Sequence, residues 1–126
     1  MSKAESFTTL TPAGVLQKIK AEKDVAEKIR LQIFFLHKYP ATDRSIAYPM
    51  AMRIIKTARQ HNMLAEYAAG CQLVAMYLLG DGDFKSALKY IDAGERAAVE
   101  ANAEVTLASL YRNRYILNLS LIHISE

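Results

Sequence analysis

Few side chains in this 126-residue chain combine the types and spacing that chemistry requires. His37, His61 and His123 lie far apart, and none has the Cys, His or Asp neighbours of a metal-ligand set. His61 is expected at a helix C-terminus, where it interacts favourably with the helix dipole. Cys71 stands in an Ala-, Leu- and Val-rich stretch and reads as a small buried hydrophobe, not a nucleophile. The run Gly80-Asp81-Gly82-Asp83 has the Asp and Gly of a calcium loop but lacks the later ligands and the closing glutamate, so a turn between helices is expected. There is no phosphate-cradling glycine loop followed by lysine. Asp92, Glu95 and Glu100 are expected on a solvated helix face, with nothing to pair them as acid and base. The expectation is a protein that is not an enzyme and that uses no cofactor and no metal.

The basic residues carry more signal. Arg53, Lys56 and Arg59 recur every three residues, and Lys18, Lys20, Lys23 and Lys28 cluster earlier. A solvated face is the simpler reading, because a net charge of +3 is far from the dense loading of a dedicated nucleic-acid binder. The alternative is a small all-α DNA-associated regulator that uses the Arg53, Lys56 and Arg59 face.

The elements that must position these residues are helical. Hydrophobic residues at 52% and charged residues at 23% supply enough apolar surface for one core. A single cysteine cannot close an internal disulfide, which fits a reducing compartment. The N-terminal stretch lacks a signal-peptide core, and no run approaches the roughly 18 apolar residues of a membrane span. A soluble, cytoplasmic protein is expected. Gly and Pro are scarce, and no alternating apolar run suggests a sheet.

A short helix is expected after Thr11-Pro12, within an N-terminal segment at 1–21. Val25, Ile29, Ile33 and Leu36 mark the next helix, which ends at Tyr39-Pro40. Thr42 or Asp43 caps a third, with Ile46, Met50, Ile54 and Ala58 as its stripe and Pro49 absorbed near its start. The stretch from Met63 to Leu79 is apolar on most sides and calls for neighbours on two faces. Phe84, Ala87, Leu88, Ile91 and Ala98 point a fifth helix inward, and Asn62 and Asn102 stop the third and fifth. Val105, Leu107, Leu110, Tyr111 and Ile116 belong to the last helix.

These segments repeat at a shift of about 40 residues, pairing Asn62 with Asn102, Ala68 with Ala108 and Met76 with Ile116. Within the repeat, Ala75, Gly82-Asp83-Phe84, Ala87 and Ile91 stand where a tetratricopeptide repeat (TPR) has its small residue, glycine-aromatic turn, alanine and large apolar residue. The chain therefore resembles the TPR family in a long-helix form. Gly94 replaces the usual alanine and Cys71 the early tryptophan-like anchor, and the closing proline is absent. The earlier pair, from about Glu22 to Asn62, keeps Ala47 but has Arg44 in place of the aromatic.

The resemblance implies an all-α fold, an α-solenoid of antiparallel helix pairs over 22–118, truncated after the first helix of a third pair. It also implies a concave groove lined by the first helix of each pair. Gln32, Gln72 and Arg112 take equivalent positions there, with Met76 and Ile116 one turn on from the last two. Such a groove suits an extended peptide or helix, with Arg112 pairing to an acidic group. The expected function is a protein-protein interaction or regulatory sensor module, the N-terminal part of a larger signalling protein. Its partner is another protein or peptide, or an output domain of the same chain, and not a membrane or nucleic acid.

The final residues 119–126, Leu-Ser-Leu-Ile-His-Ile-Ser-Glu, are similar to the translation of a transposon-end sequencing adapter and are expected to be non-native. The expected consequence is an uncapped last helix that leaves Leu110, Tyr111 and Leu117 partly uncovered and favours self-association.

Overall fold

Most of the helices begin where a side-chain oxygen takes up one of the backbone N–H groups that a first turn leaves orphaned. The structure, a computed structural model, describes residues 11–125. The Thr11 hydroxyl accepts from the Gly14 amide at 3.1 Å and starts α1 (Pro12–Ala21), with Pro12 in the position where a missing N–H does no harm. Asp24 accepts from the Glu27 amide at 2.9 Å and starts α2 (Val25–Lys38). Asp43, not Thr42, accepts from the Ser45 amide at 2.8 Å and starts α3 (Arg44–Gln60). Pro49 lies inside α3 without interrupting it. Asp83 accepts from the Ser86 amide at 3.2 Å and starts α5 (Phe84–Glu100).

The two remaining helices, α4 (Leu64–Asp81) and α6 (Glu104–Ser125), follow directly on tight turns. Asn62 and Asn102 hold φ of 55° and 54°, the left-handed conformation that asparagine tolerates better than most residues. Each turn closes with the same bond. The Met63 amide donates to the Ala58 carbonyl and the Ala103 amide to the Ala98 carbonyl, both at 2.9 Å. Gly82 makes the third left-handed turn at φ 78°, between α4 and α5, so the Gly-Asp run is an interhelical turn. Among the described residues all regular structure is helical.

Consecutive helices pack on one another, and α4 also touches α2 and α6. That position explains its composition: every residue from Ala68 to Ala75 is buried. Two glycines let the backbones close up. A methyl group on Gly70 would lie 2.8 Å from Ile55 Cγ1 and 3.3 Å from the Ile55 amide nitrogen of α3. On Gly94 of α5 it would lie 2.9 Å from Leu110 Cδ2 of α6 and 3.0 Å from Cys71 Cβ of α4.

The core contains Ile29, Leu36, Met50, Ile54, Ala58, Ala87, Ile91 and Ala98 as the periodicity requires. Val25, Ile46 and Leu88, expected inward, are exposed, Val25 and Ile46 within the first turns of α2 and α3. Leu110 and Leu117, expected to be partly uncovered, are fully buried, since α6 is wedged against both α4 and α5. No helix among the described residues is long and apolar enough to cross a membrane.

Candidate functional site

The side of α6 that turns away from α4 and α5 is apolar. Successive residues of a helix advance by about 100°, so Val105, Tyr111, Arg112, Tyr115 and Ile116 fall on one continuous face. All are exposed, Val105 at 84%, Tyr111 at 54% and Tyr115 at 64%. Forty residues earlier, on α4, the corresponding Cys71 and Ala75 have no exposed surface. They are covered by α5, where Gly94 lies against Cys71 and Ile91 packs with Ala75. At these two positions the face is therefore filled on α4 and open on α6.

The inner side of α6 is fixed by polar contacts as well as by leucines. Asn113, 2% exposed, donates from Nδ2 to the Gln72 carbonyl in the middle of α4 at 3.2 Å. Arg114 makes a two-pronged contact with Glu95, at 2.9 and 3.1 Å, and also pairs with Asp92. These carboxylates hold the guanidinium firmly in its charged form. Asp92 and Glu95, expected on a solvated face, thus anchor α5 to α6. Their separation from Arg114 by about 20 residues hides the pairing from a local reading. Asn113 had no sequence signal beyond a polar residue among leucines.

The groove residues expected from the repeat do not share one environment. Gln32 and Gln72 are buried, Met76 is half-buried, and Arg112 and Ile116 are exposed on α6. Arg112 and Ile116 lie together on the open face, whereas Gln32 lies on α2, at the wall of a separate cavity. That cavity, of about 550 Å³, is bounded by α1, the α1–α2 connection, α2 and α3. Lys20, Lys23, Lys28 and Arg53 line it. The Arg53, Lys56 and Arg59 series does not act as one strip. Arg53 borders this cavity, whereas Arg59 stacks over the Tyr67 ring at 5.3 Å and donates to its hydroxyl at 3.2 Å.

Arg44, at the position of the repeat's aromatic, reaches from α3 to α4. It donates to the Tyr77 carbonyl at 3.0 Å and to Asp81 at 2.7 Å, and its guanidinium lies 4.7 Å from the centre of the Tyr77 ring.

Cys71 is buried, and that burial pushes its thiol up to about 11, so the nucleophilic thiolate is disfavoured at neutral pH. His37 and His61 are exposed, near or just after the last turns of α2 and α3, and the His123 side chain lies outside the described residues. Among the described residues no group of His, Cys, Asp and Glu could hold a metal ion. No protein-family model, curated protein or solved structure matches the chain.

Proposed function

We propose that this chain is a non-catalytic interaction module with a TPR-like α-solenoid arrangement, acting in the cytoplasm as a docking or regulatory element of a signalling system. The observation that carries this reading is the open face of α6. Its counterpart on α4 is occupied by a helix, and Tyr111 and Tyr115 replace the small Cys71 and Ala75. Two tyrosines one helical turn apart supply rigid, amphipathic contact area of the kind concentrated at the centres of protein interfaces. A bulky Tyr115 in place of Ala75 also argues for grooves or pockets on the partner rather than for the close backbone approach seen between α4 and α5.

The occupant is an amphipathic helix, of another protein or of an output domain of the same full-length chain, lying along α6 with an acidic residue opposite Arg112. Arg112 suits that role because Arg114, and not Arg112, is consumed by Asp92 and Glu95. The non-catalytic part of the reading is supported by the buried, protonated state of Cys71.

The test is site-specific photo-crosslinking in cells, with a benzophenone side chain at Tyr115 and, as control, at the exposed Lys85 of α5. A protein captured at Tyr115, not at Lys85, and lost on Arg112→Glu supports the reading. The same set of proteins captured at both positions, or a crosslink only to a second copy of this chain, overturns it.

A further inference from the structure

We infer that the cleft bounded by α1, α2 and α3 binds a small organic phosphate of nucleotide size. This inference is independent of the α6 surface, which packs on α4 and α5. Lys20, Lys23, Lys28 and Arg53 surround the cavity, and among the described residues Glu22 is the one carboxylate in its lining. The cavity thus carries a local charge of four positive less one negative, which equals the +3 of the whole chain. Four cations around one carboxylate give the cleft a positive local potential that favours an anion. A concave wall concentrates that potential further, and about 550 Å³ lies within the range of small-molecule sites.

Gln32 gives the cleft a second feature that charge alone does not explain. It is 7% exposed, yet among the described residues its side-chain amide makes no hydrogen bond. Among the described residues no buried side-chain nitrogen or oxygen is left unsatisfied, so the Gln32 amide keeps some exposure, and Gln32 lines the cavity. A primary amide offers a donor and an acceptor side by side, the pattern that matches the edge of a nucleobase. Beside it, the exposed Val25 provides an apolar surface for a ring, backed by the buried Ile29. Phosphate groups then fall among the lysines and Arg53, whose guanidinium is suited to two-pronged phosphate contacts.

A longer polyanion fits less well. The cations converge on a concavity instead of forming a strip, and Arg59, which would extend a strip along α3, is engaged by Tyr67.

The experiment is isothermal titration of the full chain with ADP, pyrophosphate, a glutamate-rich peptide and a DNA duplex, at low and moderate salt. Single-site binding of ADP, tighter than pyrophosphate, is expected. Arg53→Ala and Lys28→Ala should each weaken ADP by about tenfold. Gln32→Leu should weaken ADP while leaving pyrophosphate within about twofold of the parent. Melting curves verify that each variant is folded, and if Gln32→Leu melts early, Gln32→Met, which removes the amide but keeps the side chain's length, replaces it. Absence of ADP binding overturns the inference, as does pyrophosphate binding as tightly as ADP. Equal binding of the acidic peptide or the duplex overturns it in favour of a macromolecular ligand.

Discussion

Replacing Gly70 with alanine should destabilise the chain, although alanine is the better helix former. Gly70 lies within α4, so the substitution gains about 1 kcal/mol of helix propensity. Against that, the new methyl would lie 2.8 Å from Ile55 Cγ1, 3.0 Å from Ile54 Cγ2 and 3.3 Å from the Ile55 amide nitrogen. None of these atoms is the free end of a flexible side chain, and one is backbone, so α3 and α4 must move apart. Overpacking of this kind costs about 1–3 kcal/mol and in the centre of the bundle should fall at the upper end. The net expectation is a loss of about 1–2 kcal/mol, or a melting temperature lower by roughly 4–8 °C for a chain of this size. Urea denaturation followed by helical circular dichroism measures it. The Gly94→Ala variant is the comparison: its nearest obstacles are Leu110 Cδ2 at 2.9 Å, a terminal methyl that can rotate aside, and Cys71 Cβ at 3.0 Å, with no backbone atom among the three nearest, so it should lose less than Gly70→Ala. The cycle with Ile55→Ala isolates the cause: removing Cγ1 should relieve at least about 1 kcal/mol of the Gly70→Ala loss. Additive effects, or a Gly70→Ala protein as stable as the parent, would refute the argument.

Asn62→Ala and Asn102→Ala should each lose about 1 kcal/mol in the same assay, while the glycine replacements hold or raise stability, because only the left-handed φ distinguishes them. Stability should fall as pH rises from the ordinary thiol range toward 11. There the unfolded thiol of Cys71 ionises while the folded one, at about 11, keeps its proton; Cys71→Ala should flatten that slope in pH-dependent urea titrations. Arg114→Leu should lose about 1 kcal/mol at low salt and measurably less in concentrated salt, since Asp92 is half-exposed and screened.

What the sequence makes legible follows from how far each interaction reaches along the chain. Thr11, Asp43, Asn62 and Asn102 act on atoms within five residues of themselves, so types and spacing announce them. The helical content and the buried character of α4 are equally readable, because they depend on the apolar pattern of one segment. The arginines are not. Arg112 and Arg114 look alike in sequence, and only the angle at which α6 meets α5 decides that Arg114 takes the carboxylates. Gln32 and Gln72 are equivalent in the repeat, but Gln32 borders a cavity partly formed by α1, an element outside the repeat pattern. The cluster of lysines at 18–28 hints at a basic region, yet its convergence with Arg53 needs the fold of three helices.

The central position of α4 also sets the order in which the molecule opens. Among the described residues helix α1 packs substantially on α2 alone, whereas α4 packs on α2, α3, α5 and α6. Amide hydrogens of α1 can therefore exchange with solvent through a local fraying that leaves the bundle intact, while those in the middle of α4 must wait for nearly global unfolding. The binding cleft draws one wall from the element that opens most easily, and the α6 contact to Gln72 reaches the element that opens last. A ligand in the cleft would stiffen the periphery, whereas a helix docked on α6 would clamp the interior.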